Sequence, residues 1–591
     1  MIPGGRQSIK SGINGYAVTN FNDFHMLIFS QNTSHLYTTL LLVQAIMKYV
    51  GLVEKGRLPA LDDEIIRSRV AVCLYQACYR TLLGQDGNGS WNNSVEETAY
   101  GILILCQARH LDLFRDFDGQ LDSSIDSAVA FIESSTEHHP QYLWIEKVSY
   151  TSPVLAKTYR LAALKASSTI RLDTRVGSSL RGDTSVIPKL AKLWLQTPLF
   201  SSIPEWQLRA SMVEGTLFRP IVRAQRLSIF TRKGVEVDNY FDVIPLAWPT
   251  CNNRTPIFAP PCFLFEGMMA ALLNYQVDEF MEAVAGVNYE GNIPELRRLI
   301  DDVITSISED SCVGNGYESS CHESTKTVTN GTNSTNGITK NGNGHHYAIE
   351  GSKKQEVLVP LEKFVTHALK HPSILSASSW DRKNVTCELR IYLQTHVTQS
   401  EDNVRLKQNN FTDGVMREHF FRWVRTTSAD HTSATYTFNF ISCLLSSWIE
   451  KGGDCFPSTQ EKYYAAAACQ HLASMCRMYN DHGSTLRDRD ERNVNSIDFP
   501  EFELDTTVPI GKALAMKKDN LFEVAQYERS CLEEALRRLG RYAEKTNSTE
   551  AQARKRRQMD MWTLLYNVTD LFGQIYVLRD IGSRLNAESA A

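Results

Sequence analysis

The chain has 591 residues, of which 42% are hydrophobic and 22% charged, an ordinary composition for a folded globular protein. At roughly 100–200 residues per domain, that length suits several domains or fewer large helical ones. With 62 basic against 67 acidic residues the net charge is −5, which argues against a dedicated nucleic-acid binder or a polybasic membrane protein.

The pattern along the chain is helical almost throughout. Apolar residues recur near a 3.6-residue period over 36–50, 64–83 and 95–111, the last two separated by a Gly/Trp-rich turn, GQDGNGSW. A boundary falls near residue 200, around LQTPLFSSIPEW. Beyond it the helical period returns over 261–286, 437–451, 459–479, 521–544 and 556–583. Alternating strand-like runs are scarce and no βαβ rhythm is present, so the fold class is all-α. Between 308 and 355 the chain is rich in Asn, Gly, Ser and Thr, including TNGTNSTNGITKNGNGHH. Such a segment buries too little apolar surface to offset its ordering entropy, and is expected to be a disordered insert.

The 13 cysteines are odd in number and unclustered, the usage of reduced thiols in a cytoplasmic protein. No CxxC pair offers a zinc ribbon. The N-terminal MIPGGRQSIKSGINGYAV lacks the apolar core of a signal peptide. Uninterrupted apolar runs such as Leu40–Val43 and Ile102–Cys106 are far shorter than the roughly 20 residues that cross a bilayer. A cytoplasmic protein without a transmembrane segment is expected.

Several chemistries are missing. There is no GxGxxG after a strand, no GxxxxGK[ST], no HExxH and no GxSxG. His138–His139 and His345–His346 have no carboxylate or Cys at ligand spacing and read as loop histidines. The basic run Arg554–Arg557 reads as the solvated face of a long helix, with a nuclear-localisation signal as the alternative.

Two acidic constellations remain. Asp278, Glu279 and Glu282 lie near the end of the apolar helix that starts about Phe263, with Gly286 as its expected terminator. Asp278 and Glu282 are one turn apart and share a helix face. Carboxylates so placed hold hard divalent cations, and Mg²⁺ is typically bound by one or two carboxylates plus substrate phosphates. The second constellation is Asn480, Ser484 and Asp488 in RMYNDHGSTLRDRDERN. Their i, i+4, i+8 spacing lines one helix face with an amide, a hydroxyl and a carboxylate, an all-oxygen magnesium set. The alternative is that Asn480 or Ser484 caps a helix. Two such faces on two helices of a bundle suit a diphosphate held between metal ligands.

These residues resemble class I terpene synthases: DEFME resembles the aspartate-rich motif of that family, and NDHGSTLRD its Asn-Ser-Glu motif. The surrounding words IPLAWPTCNNRT, LNYQVDEFMEAVAG, HVTQSEDN, FFRWVRTTSADHTS and YNDHGSTLRDRDERNVNSIDFPEF resemble the class I half of fungal bifunctional copalyl diphosphate/ent-kaurene-type diterpene synthases. The likeness covers about residues 200–590. It implies a class I helical bundle over 201–591, preceded over 1–200 by a partial α/α-barrel, where GQDGNGSW and EETAYGILIL are similar to the repeats of the class II domain. The DxDD acid of class II cyclisation is missing, since Asp62–Asp63 and Asp301–Asp302 lack the leading Asp. The N-terminal domain is then a half-barrel remnant, or the gene model is truncated. Glu279 and Glu282 stand where many terpene synthases carry Asp, and Asp488 where they carry Glu.

The resemblance implies that three Mg²⁺ ions clamp a prenyl diphosphate. Asp278, with Glu279 and Glu282, would hold ions on one side, and Asn480, Ser484 and Asp488 would hold the third on the other. Arg477, one turn before Asn480, is the candidate for assisting the departing diphosphate. Structural ion pairs explain Arg422 and Arg425 equally well. Phe265, Tyr275, Trp423, Phe438 and Tyr566 are candidates to face a carbocation, although aromatics at helical spacing mostly just pack. The implied substrate is copalyl diphosphate, giving a kaurene-like diterpene. Alternatives are cyclisation of linear geranylgeranyl diphosphate, or an inactive remnant. An open half-barrel would expose apolar helix faces for a second copy or another partner to cover.

Overall fold

The computed structural model describes residues 34–59, 63–135, 152–169, 175–230, 240–309, 351–408, 418–505, 509–544 and 548–578. The His138–His139 and His345–His346 pairs and the body of the Asn/Gly-rich insert lie outside them. The flanks of that insert are helical: one helix runs to Glu309 and the next starts at Gly351. Among the described residues the regular structure is helical, apart from isolated bridges at Trp91–Ser94 and Leu111–Val176. These residues fall into two compact units, one drawn from Met1–Leu273, Tyr479–Ser484 and Gly540–Ala591, the other from Asn274–Met478 and Thr485–Leu539. Residue 200, the boundary read from sequence, lies inside the first unit.

The first unit begins with α1 (His35–Glu54), α2 (Glu64–Leu83), α3 (Val95–Ala108), α4 (Asp118–Ser134) and α5 (Pro153–Ser167). Side-chain oxygens of Ser34, Asp63 and Ser94 cap the first three, satisfying N–H groups that a helix start leaves unpaired. Asp63 is thus an N-cap. Helix α3 is buried nearly all round, with Tyr100, Ile102, Ile104 and Leu105 sealed from solvent, because α1, α2, α4 and α5 all pack on it. The Gly/Trp-rich turn ties these helices together. Trp91 donates its indole N–H to the Thr81 carbonyl at 2.9 Å, and Gln85 donates to the carbonyls of Gly89 at 2.9 Å and Ser124 at 2.8 Å. Gly89 has φ +86°, and a Cβ there would stand 2.4 Å from the Ser127 carbonyl oxygen, so only glycine fits the turn.

Helix α1 is long and apolar enough, by length and composition alone, to cross a membrane. Among the described residues it is the one helix that passes this test, which a core helix of a folded protein also passes. Leu36, Leu40, Val43, Met47 and Val50 are buried in this unit.

The unit continues with α6 (Ile187–Trp194), α7 (Glu205–Ile229), α8 (Tyr240–Arg254) and the start of α9 (Pro261–Phe280). Its last helix is α16 (Thr549–Leu578), which packs on α8. At its centre Glu214 of α7 is fully buried. Its carboxylate accepts hydrogen bonds from Gln76 at 2.8 Å and Asn253 at 2.7 Å. Burial raises its pKa, against the pull of the Arg80 guanidinium and the two amide hydrogen bonds. Asn252 accepts the Ala259 N–H at 2.8 Å. The WPTCNNRT segment therefore works as a polar latch. The basic run of α16 is not purely a solvated face: Arg557 donates to the carbonyls of Ile257 and Phe258, while Arg554 pairs with Glu550 at 3.2 Å.

The second unit contains the end of α9, α10 (Ile293–Glu309), α11 (Gly351–Leu369), α12 (Ser379–Gln408), α13 (Ala434–Trp448), most of α14 (Thr459–Glu491) and most of α15 (Ile510–Glu544). Helix α10 buries Leu296, Leu299, Ile300, Val303, Ile304 and Ile307, one helical stripe, against α11 and α12. Asp301 sits on the rim of that helix and pairs with Arg390 at 3.2 Å. Helix α12 is a 30-residue spine on which α10, α13 and the short helix Thr427–His431 pack. Its buried face is apolar at Val385, Leu389, Leu393 and Val397 but also carries Thr395, His396, Gln399 and Asp402.

Removal of Glu214 would leave Gln76 and Asn253 buried without their acceptor and Arg80 without the neighbouring carboxylate charge. The Glu214→Ala protein is expected to lose about 3 kcal/mol of stability, read as a lower denaturant midpoint. An unchanged midpoint would show that this latch does not hold the unit together.

Candidate metal centre

Helix α9 stops at Phe280, but the chain does not leave the helical path. Met281–Ala285 form a π turn, closed by the Gly286 N–H bonding back to the Met281 carbonyl. Gly286 is therefore not the terminator expected from sequence. One more turn follows to Asn288, and Gly291, at φ +80°, ends the path. The π turn holds one more residue than a regular α turn. Turns of this kind recur at functional sites.

Asp278 faces two histidines. Its Oδ1 lies 3.5 Å from His396 Nδ1, on α12, and 3.7 Å from His431 Nε2, at the end of the short helix Thr427–His431. The two imidazole rings are 4.3 Å apart and tilted by 58°, and Tyr392 packs edge-on against His396 at 4.7 Å. Burial depresses the His396 pKa to about 3, and burial with the neighbouring His396 and Arg477 pushes His431 well below its usual value. Both rings are thus held neutral. Burial, then the Glu282 charge, drive the Asp278 carboxyl well above the ordinary carboxylate range, while Arg477 pulls the other way. The Asp278 side chain is nevertheless 42% exposed, so protein crowds it without sealing it from solvent. Glu279 is half-buried and Glu282 exposed. The surrounding protein and then the Glu491 charge raise the Glu282 pKa, offset by Arg477 and Arg487.

The second sequence motif lies on α14. That helix is 33 residues long and starts at a capping box formed by Ser458 and Glu461. Asn480, Ser484 and Asp488 therefore sit deep inside it, which removes the helix-cap alternative. Asn480 is half-buried, Ser484 fully buried and Asp488 buried at 7% exposure. Asp488 accepts a hydrogen bond from Asn495 Nδ2 at 2.7 Å. Arg477 is buried, donates to the Val494 carbonyl at 2.9 Å, and lies 5.4 Å over the Trp423 ring. One charge is thus locked in place by a carbonyl and an aromatic face. Gly483 answers a packing need, because a Cβ there would stand 2.4 Å from the Tyr576 carbonyl oxygen of α16.

The remaining candidates are placed elsewhere. Arg422 has a side chain 74% exposed and pairs with Glu418 at 3.4 Å. Arg425 is ion-paired to Glu528, which also meets His471 at 2.5 Å, and lies 4.1 Å over the Phe421 ring. Phe438 stacks on Phe456 and Tyr566 meets Trp562, both packing roles. Phe265 and Tyr275 are half-buried. Trp423 packs on Phe499 at 4.7 Å, and one of its faces is given to Arg477. The sequence reading did not single out His396, His431, Arg487 or Asn495 for a role, although HVTQSEDN and TSADHTS contain the two histidines.

The end of α9 and the last turns of α14 thus bring Asp278, Glu282, Asp488 and Glu491 within electrostatic reach of one another, with Arg477 and Arg487 among them. Acidic groups pushed up in pKa by one another are groups that gain from a bound cation. Carboxylate oxygens match a hard divalent ion, so Asp278, Glu282, Asp488 and Glu491 fit one.

No family model matches the chain. Its sequence is, however, 36% identical over 586 residues to a phyllocladan-16-alpha-ol synthase of Phomopsis amygdali, covering 94% of the chain and 56% of that protein. It is 36% identical over 563 residues to an ent-kaur-16-ene synthase of Fusarium fujikuroi, with the same coverage of both chains. A pimaradiene synthase of Emericella nidulans is 35% identical over 560 residues, 93% of this chain and 55% of its own length. Over more than nine-tenths of its length the chain is thus similar to part of these fungal diterpene synthases. It spans about half the length of the curated relatives it matches.

The contact at Gly483 is testable apart from any chemistry. Gly483→Ala forces the Tyr576 backbone away and is expected to cost about 1–3 kcal/mol, lowering the thermal midpoint. A midpoint equal to that of the unaltered chain would refute this packing.

Proposed function

We propose that the chain is a class I diterpene synthase that ionises the allylic diphosphate of copalyl diphosphate and cyclises the resulting cation to a kaurene-like polycyclic diterpene. The carrying observation is the acidic cluster at the end of α9, with Arg477 and Arg487 among its carboxylates. Homology to three diterpene synthases over more than nine-tenths of the chain supports the same reading. Terpene synthases generally use a divalent metal. Here Asp278, Glu279 and Glu282, with Asn480, Ser484 and Asp488, would hold Mg²⁺, three ions in all. When bound, Mg²⁺ supplies Lewis-acid neutralisation of the diphosphate charge.

The chain's own residues perform the remaining work. Arg477, fixed by the Val494 carbonyl and the Trp423 ring, offers a preorganised guanidinium to the leaving diphosphate. Arg487 adds a second positive charge beside the same carboxylates. The allylic C–O bond breaks and its electron pair departs with the diphosphate, leaving a carbocation. Because a face of Trp423 is given to Arg477, that ring acts through the arginine rather than on the carbocation. Loss of a proton or capture of water ends the sequence. The names of the relatives include both hydrocarbons and an alcohol, so either ending is compatible with this homology.

The proposal includes the division into a class II-like segment over 1–200 and a class I bundle over 201–591, which the GQDGNGSW turn and the two metal motifs support. A cytoplasmic location is also part of it, supported by described cysteines that form no disulfide and are mostly buried.

Purified chain with Mg²⁺ is expected to convert copalyl diphosphate to a diterpene detected by gas chromatography–mass spectrometry. Chelation should abolish turnover, and Asp278→Ala and Asn480→Ala should each lower kcat at least about 100-fold. Turnover of geranylgeranyl diphosphate alone would reassign the substrate. Folded protein with no product from either substrate would overturn the enzymatic reading.

A further inference from the structure

Asp278, His396 and His431 present one carboxylate oxygen and two imidazole nitrogens within 4.8 Å of one another. The separations of Asp278 Oδ1 from His396 Nδ1, 3.5 Å, and from His431 Nε2, 3.7 Å, are too long for hydrogen bonds, which close at about 2.7–3.2 Å. They approach the ligand-to-ligand edge of about 3.3 Å that follows from metal bonds of about 2.0 Å in a tetrahedral site. Both ring nitrogens of His396, and Nε2 of His431, are buried without a hydrogen-bond partner. Buried polar atoms are normally paired, and His396 Nδ1 and His431 Nε2 both face the same Asp278 oxygen. The His396 side chain is only 1% exposed and that of His431 10%, so water is a poor substitute partner. The 42% exposure of Asp278 leaves an access path.

We propose that Asp278, His396 and His431 form a binding site for one borderline divalent transition-metal ion of the Zn²⁺ or Co²⁺ class, with a fourth position open to water or another small ligand. Two nitrogens and one oxygen suit such ions, whereas Mg²⁺ prefers an all-oxygen shell. The helical positions of the two histidines, and the Tyr392 ring against His396, hold the nitrogens in place before the ion arrives. Asp278 is shared with the all-oxygen set, so a transition-metal ion here and Mg²⁺ compete for the same carboxylate. The ion binds without any prenyl diphosphate, which separates this site from the cyclase reading.

The test is a Co²⁺ titration of the purified, chelator-stripped full chain, read by visible absorption. One equivalent should give the intense bands of low-coordinate cobalt, and Zn²⁺ should bleach them. His396→Ala and His431→Ala should each weaken binding by at least the roughly 10–100-fold that loss of even a supporting group costs. His471→Ala, which removes a histidine engaged by Glu528, should leave the bands unchanged. Unaltered protein loaded with less than one equivalent of Cu²⁺ gives a second measurement by pulsed electron paramagnetic resonance, which should show two coordinated imidazoles. Cobalt bands that persist in the His396→Ala/His431→Ala protein, bands lost in His471→Ala, or a copper signal without imidazole nitrogen would each overturn the site.

Discussion

The arrangement around α9 depends on like charges held close together. Asp278 and Glu282 on one element, and Asp488 and Glu491 on α14, repel one another while protein crowds them. Arg477 and Arg487 offset part of that repulsion. The remainder is a standing demand for positive charge, and it makes the cluster a receptor for cations, with an anion following them. Arg477 is itself tied down, so its charge is preorganised instead of having to be gathered when a ligand arrives.

The supporting elements follow from this demand. Helix α12 buries polar side chains in its C-terminal half, Thr395, His396, Gln399 and Asp402. Helix α14 carries Arg477 and Asp488 on one rigid rod that its capping box starts well upstream. Asn495 holds the Asp488 carboxylate, and Asn403 accepts the Val494 N–H at 3.0 Å, fixing the strand of chain whose carbonyl grips Arg477. In the first unit, Glu214 with its two amides and Trp91 with its indole bond do the equivalent work of registering helices.

Much of the helical fold and both acidic motifs could be read from sequence, because helical period and i, i+4 spacing survive in one dimension. What could not be read has physical reasons. Helix α12 buries polar residues as well as apolar ones, so its apolar stripe is weak and the period does not announce it. The π turn at Met281–Ala285 changes the phase of a helix without any residue that signals it. His396 and His431 lie far from residue 278 along the chain and within polar words, and only folding brings their nitrogens to one carboxylate. Gly286 looked like a helix terminator because glycine usually is one, whereas here its N–H closes the π turn. The basic run of α16 looked solvated because charge alone does not disclose that Arg557 reaches two carbonyls.

The central claim is that this carboxylate cluster accepts a diphosphate only through bound cations. Isothermal titration of inorganic diphosphate into the folded chain tests it most directly. The account predicts binding in the presence of a divalent metal and none after chelation. Equal binding with and without metal would mean that the arginines alone make the anion site, and would contradict it.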